Sequence, residues 1–257
     1  MNKTLLEDDE PLPYEIVNGS GRAPLVIVCD HASNTIPRRL EQLGLPAERL
    51  QEHIAIDLGG EALSRSLANI LDAPLVLARF SRLVVDLNRP LQELTLIPEV
   101  SDGVVIPGNQ NLSEEQRRQR IEEIFIPYHQ AVSREIERVA QAFGRVGVIA
   151  VHSFTPSMGG TNRPWHIGIL WTEDQRISRP LIESLRTEPD LCVGDNQPYD
   201  ARKHVGYTVE HHGGERGLPH VLIEVRQDLI ESPQDPEPWA VRLAQHLQPI
   251  LIDLRLG

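Results

Sequence analysis

Three short apolar runs constrain this chain more than anything else in it, because each ends in a group able to do chemistry. PLVIVC (24–29) runs into Asp30 and His31, GVIAVH (147–152) ends on His152, and HVLIEV (220–225) carries Glu224 inside it with Arg226 just beyond. Apolar runs of this length, bounded by polar residues, read as strands buried on both faces. PLVLARF (74–80) and RLVVDL (82–87) read as strands too, either as a hairpin or as one bent strand, leading to Asn88 and Arg89. HIGILW (166–171) adds another. Helical periodicity fills the intervals. Residues 58–71 put Leu63, Leu67, Ile70 and Leu71 on one face. Residues 113–143 open on Ser113, with Glu115 and Gln116 behind it as a cap, and should kink or divide at Pro127. Residues 175–186 and a closing segment, 237–254, complete the set. The alternation predicts a single α/β domain over 1–257, with a mixed, mostly parallel sheet, helices on both faces and an acidic segment over 1–20. In such sheets ligands bind outside the carboxyl ends of the strands. Spacing alone therefore gathers Asp30, His31, Asn88, Arg89, His152, Glu224 and Arg226 into a candidate site.

Those residue types point to metal-assisted hydrolysis. Two neutral imidazoles, His31 and His152, with one carboxylate and an open position suit a catalytic divalent ion, zinc first among them. Such an ion brings the pKa of a bound water to roughly 7 and polarises a carbonyl. Asp30 is placed to orient the ring of His31 from outside. For the third ligand Asp57, in HIAIDLGGE, either reaches the metal from a helix start or caps that helix; the neutral amide of Asn34 is a poorer donor. Arg82 suits a developing oxyanion. The Arg89 guanidinium suits a carboxylate by two parallel hydrogen bonds, with Asn88 adding a donor. Asp86 reads as the structural partner of one of these arginines. Glu224 inside an apolar run should have a raised pKa, which suits a general acid/base, unless it pairs with Arg226. Arg163 and His166, in the loop TNRPWH (161–166), and Arg226 are further candidates for holding substrate.

The remaining features exclude more than they propose. A net charge of −12 argues against a phosphate-backbone binder. No apolar stretch approaches the ~20 residues of a membrane span, and the N-terminus lacks the apolar core of a signal peptide, so the expected location is cytoplasmic. Cys29 and Cys192 read as buried reduced thiols. Neither a GxSxG elbow nor a phosphate loop is present. Residues 196–199 and 211–214 read as polar loops. His53, His129, His204, His220 and His246 read as ordinary structural or surface histidines.

Seven blocks in order, DHASN (30–34), HIAIDLG (53–59), SRLVVDLNRP (81–90), HSFTP (152–156), RPWHIG (163–168), NQPY (196–199) and IEVRQDL (223–229), resemble the N-formylglutamate amidohydrolase family over about 23 to 240. That family is similar in fold to zinc carboxypeptidases and aspartoacylases. The resemblance implies His31 as first ligand and His152 as last. Asn34 stands where those enzymes carry the carboxylate of an HxxE motif, which is why Asp57 enters as the third. It further implies Asn88 and Arg89 on the substrate carboxylate, Arg82 on the scissile carbonyl and Glu224 as general base and then acid. The implied reaction converts N-formyl-L-glutamate, or a related N-acyl amino acid, to the amino acid and a small carboxylate, and implies a place in histidine breakdown. A metal hydrolase of another amide, and a non-catalytic carboxylate binder, are the alternatives.

Overall fold

A computed structural model describes residues 4–203 and 206–256, so His204 lies outside the described residues. The strands are β1 (Tyr14–Val17), β2 (Leu25–Cys29), β3 (Leu75–Ala78), β4 (Val100–Ser101), β5 (Val104–Val105), β6 (Gly147–Phe154), β7 (Ser157–Met158), β8 (Thr161–Asn162), β9 (Ile167–Leu170), β10 (Val193–Asp195) and β11 (His220–Arg226). The main helices are α1 (Gly60–Leu71), α2 (Glu114–Arg120), α3 (Ile126–Phe143), α4 (Ser178–Leu185), α5 (Tyr207–His212) and α6 (Pro236–Asp253). Seven strands form one sheet in the order β1-β3-β2-β6-β11-β9-β10. The four central strands, β3, β2, β6 and β11, are mutually parallel; β1 and the β9–β10 pair run the other way. The expected mixed, mostly parallel sheet is present.

Continuous apolar runs are required because both faces of this sheet are covered. Along β2, Val26 and Val28 share a core with Tyr128, Val132, Ile136 and Val139 of α3. Their neighbours Leu25, Ile27 and Cys29 share the opposite core with Leu63 and Leu67 of α1, Leu181 of α4 and Leu243 and Leu247 of α6. A strand alternates its side chains between faces, so every position must be apolar until the strand leaves the layer. The first groups past that edge are free to be polar, and this puts Asp30 and His31 where they are, while His152 lies two residues inside the end of β6.

Three expectations change, and one is met in detail. The run 82–87 is not a strand but a buried, turning segment. An apolar run reports burial; it does not supply a ladder partner. Backbone carbonyls here accept from side chains instead: Leu83 from Asn109 Nδ2 (2.8 Å), Val84 from Arg120 Nη1 (3.0 Å), and Leu87 from His129 Nε2 (3.0 Å). The helix over 113–143 does divide: a π turn over Ile121–Phe125 separates α2 from α3, taking up the missing N–H of Pro127. Its start is the expected cap, with Ser113 and Gln116 bonded reciprocally. Cys29 is buried but Cys192 is exposed, since it precedes an edge strand. Residues 211 and 212 are helical within α5, and His212 is buried against His129, ring nitrogens 2.9 Å apart.

Arg120 gives a stability prediction. Its side chain is 1 % exposed, meets no carboxylate among the described residues, and donates to Val84 O, Gly108 O (3.0 Å) and Asn109 Oδ1 (2.6 Å). Arg120→Ala leaves two buried acceptors, Val84 O and Asn109 Oδ1, unmet at ~1–3 kcal/mol each, the half-buried Gly108 O without its donor, and a cavity besides. Denaturant unfolding is expected to show a loss of at least ~3 kcal/mol. A loss under ~1 kcal/mol refutes this account of how the 82–87 segment is held.

Candidate active site

A cavity of about 270 Å³ opens at the carboxyl ends of the central strands. Its wall includes His31, Asp57, Arg82, Asn88, Arg89, His152, Tyr199 and Glu224. Each arrives by a different route. His31 follows β2 by two residues, and His152 sits near the end of β6. Glu224 lies directly opposite His152 in the parallel register of β11 on β6. Asp57 lies two residues before Gly59, the residue that caps α1 with left-handed backbone, so it is not the cap itself. A side chain on Gly59 would run into Ile230 O at 2.2 Å, so the turn that delivers Asp57 needs glycine there.

The innermost part of the cavity is a His–Asp–His group. Asp57 Oδ2 lies 3.3 Å from His31 Nδ1 and 2.8 Å from His152 Nδ1, with all three residues buried. One ligand atom from each converges within 4.8 Å of the others, a group that could hold a metal ion. The opposite nitrogens also face carboxylates. His31 Nε2 is 2.8 Å from Asp86 Oδ1, and His152 Nε2 is 3.2 Å from Asp30 Oδ2, the latter an ionic contact too oblique for a hydrogen bond. Asp30 thus backs His152, not His31, because side-chain alternation along β2 and β6 puts Asp30, in step with Val26 and Val28, and His152, in step with Val148 and Ala150, on the same face of the sheet, the one α3 covers. Asp86 pairs with Arg82 as expected, and with His31 as well.

Charge explains why such a cluster suits a cation. Asp30, Asp57, Asp86 and Glu224 are all buried, against the guanidinium of Arg82 and, 3.8 Å from Asp86, that of Arg89. Burial would raise the pKa of Asp57, but His31 and His152 outweigh it and hold the carboxyl well below its usual range. Burial would likewise lower that of His152, and is outweighed by Asp30 and Asp57, which push it well up. An imidazole with an acceptor at each nitrogen either carries two protons or yields one side to a metal. The donor set, two imidazoles and a carboxylate with further carboxylates behind both rings, fits a divalent ion.

Glu224 is 7 % exposed, and its Oε2 has no hydrogen-bond partner among the described residues. Burial, with the charge of Asp57 adding to it, lifts its pKa to about 7 against the pull of His152 and Arg82. The Arg226 guanidinium pairs with Asp228 (2.7 Å), not with Glu224. Arg82 bridges Asp57 Oδ1 (3.2 Å) and Asp86 Oδ2 (3.1 Å) and lines the cavity with its remaining donors. Asn88 spends its amide oxygen on Thr208 N (3.1 Å), which leaves its NH₂ as a donor.

The other sequence candidates sit further out. Arg163 does not line the cavity but stacks on Tyr199, which does, 4.9 Å from the ring centroid. His166 and Arg226 are also off the wall: His166 Nδ1 accepts from Cys192 N (2.9 Å), and Arg226 lies against the carbonyls of residues 163–165. Asn34 donates to Leu50 O (2.8 Å) and points away from the metal group. Sequence reasoning overlooked the rim. His53, set aside as ordinary, lines the cavity and meets Asp102 (3.1 Å) at the tip of the β4–β5 hairpin. The Asp102-Gly103 pair, both with positive φ, is a readable hairpin signal.

Residues 23–231 match the family model described as N-formylglutamate amidohydrolase. Two proteins called N-formylglutamate deformylase are similar to this chain. The one from Pseudomonas putida is 26% identical over 260 residues, 91% of each chain; the one from Pseudomonas aeruginosa is 27% identical over 263, 96% of this chain and 95% of that one. Among solved structures, a gene product of Agrobacterium tumefaciens is 35% identical with a TM-score of 0.93, covering 98% of this chain and 99% of its own. An N-formylglutamate amidohydrolase from Ralstonia eutropha, 20% identical with a TM-score of 0.72 and covering 93% and 99%, shares the fold.

Proposed function

The chain belongs to the N-formylglutamate amidohydrolase family, and from that premise we propose that it hydrolyses the amide of N-formyl-L-glutamate, or of a closely related N-acyl amino acid, with a divalent metal held by His31, Asp57 and His152. The observation that carries the reading is the convergence of Nδ1 from both histidines on one aspartate oxygen, beside a buried Glu224 whose Oε2 has no hydrogen-bond partner among the described residues. Zinc is the ion we expect there. Bound at that group, it supplies Lewis acidity and acidifies a water.

The chain's own residues do the rest. Arg89 holds the substrate carboxylate and the NH₂ of Asn88 adds a donor, fixing the acyl group over the cavity floor. Arg163, His166 and Arg226 contribute to substrate binding from the outer ring, with Arg163 acting through Tyr199. Glu224 takes a proton from the attacking water as oxygen bonds to the acyl carbon. The free donors of Arg82 stabilise the charge that develops on the carbonyl oxygen. Glu224 then passes its proton to the nitrogen as the C–N bond breaks, giving the amino acid and formate. We read the whole chain as one catalytic domain working in the cytoplasm, in histidine breakdown if formylglutamate is its substrate. Among the described residues no helix is long and apolar enough to cross a membrane.

The test is formate release from N-formyl-L-glutamate, run beside a panel of other N-acyl amino acids, before and after treatment with a chelator. Turnover that disappears with the chelator and returns with zinc is expected. Turnover unchanged in fully metal-free protein overturns the metal. A loaded protein that turns over none of the panel moves the assignment to another amide. Tight binding of amino acids with neither metal nor turnover makes it a carboxylate binder.

A further inference from the structure

Both histidines of the metal group have a carboxylate behind them, but the two carboxylates are held in opposite ways. Asp86, behind His31, is cancelled by Arg82 (3.1 Å), with Arg89 at 3.8 Å. Asp30, behind His152, is wholly buried and has no arginine or lysine within ion-pair distance among the described residues. Its Oδ1 accepts instead from the hydroxyl of Tyr128 at 2.6 Å, across 98 residues of sequence. Tyr128 is itself fully buried in the α3 core, and neither residue lines the cavity. A phenol in such a core costs free energy that phenylalanine would not, unless its hydroxyl has a partner. Here the partner is the carboxylate that backs a metal-facing ring. A neutral donor fixes that carboxylate without neutralising it, so its full charge acts on His152.

We propose that Tyr128 is a positioning residue for the metal site: it locks Asp30, and the Asp30 charge, 3.2 Å from Nε2 of His152, holds that ring with Nδ1 toward Asp57, setting the affinity of the His31–Asp57–His152 group for a divalent ion. The inference rests on the metal reading of that group. Neither Tyr128 nor Asp30 touches substrate. Removing an outer partner of a ligating histidine costs about 10–100-fold in metal affinity.

The experiment is zinc binding to metal-free protein in competition with a chromophoric chelator, for wild type, Tyr128→Phe and Asp30→Asn, with thermal unfolding of each in the metal-free state. Wild type is expected to take up about one zinc per chain. Tyr128→Phe is expected to bind ~10-fold more weakly and Asp30→Asn ~100-fold, while the metal-free Tm of Tyr128→Phe stays within about 3 °C of wild type. Zinc affinity unchanged in Tyr128→Phe overturns the proposal, with or without a lower Tm, since a purely structural hydroxyl would move only the Tm. If Asp30→Asn does not fold, Tyr128→Phe decides alone. A wild type that binds no zinc sinks the metal reading and this proposal with it, an outcome distinct from failure of Tyr128 alone.

Discussion

Glu224→Gln is expected to lower kcat by at least ~10²-fold while leaving metal content at its wild-type level. The substitution keeps the shape of the side chain and removes its capacity to take a proton. Glu224 is not one of the three convergent ligands, so the metal group is untouched. Its carboxylate has the properties a proton shuttle needs: it lines the cavity, one oxygen is unpartnered among the described residues, and burial brings its pKa to about 7. A carboxyl poised near neutrality can both accept a proton from water and return it to a leaving nitrogen. The fold should be indifferent to the change, because a neutral amide is cheaper to bury than a charge. The comparison to make is single-turnover formate release against metal analysis of the same preparation. Turnover within twofold of wild type removes Glu224 from the mechanism; loss of metal together with activity makes it a part of the ion site instead.

Asp57→Ala is expected to have the larger effect, removing both the metal and at least ~10³-fold of activity, which corresponds to ~4 kcal/mol of barrier. Asp57 Oδ2 is the atom on which both imidazoles converge, and Oδ1 anchors Arg82. The truncation therefore strips the site of its shared carboxylate and leaves a guanidinium with one partner, Asp86, in place of two. His31→Ala should lose metal in the same way, whereas Asn34→Ala should not, since its amide is spent on Leu50 O. The readout is metal per chain after gel filtration. Full metal occupancy in Asp57→Ala refutes the ligand set; full metal loss in Asn34→Ala would reinstate the residue that stands in the HxxE position.

Much of the site could be read from residues that break the apolar pattern at strand ends. His31, His152 and Glu224 were each legible because a polar group at the end of a doubly buried strand needs a reason to be there. Asp86 was legible only as a partner of arginine. Its contact with His31 depends on how the 82–87 segment folds, and that segment's apolar run points to a strand that does not form. The roles of Asn109, Arg120, His129 and Thr208, which bind its carbonyls from up to 121 residues away, have no local signature. Nor does Tyr128, which looks like any other aromatic on the apolar face of α3 until its hydroxyl is seen on Asp30. Arg163, His166 and Arg226 show the limit from the other side. They are the right residue types near the site, two in the 161–166 loop and Arg226 at the end of β11, but the sequence carries no information about which of them faces the cavity.

Local pattern alone determined the layered α/β architecture, the cap at Ser113 and the polar groups at the strand ends that line the candidate site, because burial on both faces of a sheet and the orphan groups of a helix start act over a few residues. Tertiary structure alone decided which carboxylate backs which histidine, that Asp57 meets both rings, and that a buried irregular segment could stand in for a strand. Those outcomes depend on contacts between residues tens to more than a hundred positions apart, and the cost of an unmet buried donor or charge is assessed only when the chain has brought them together.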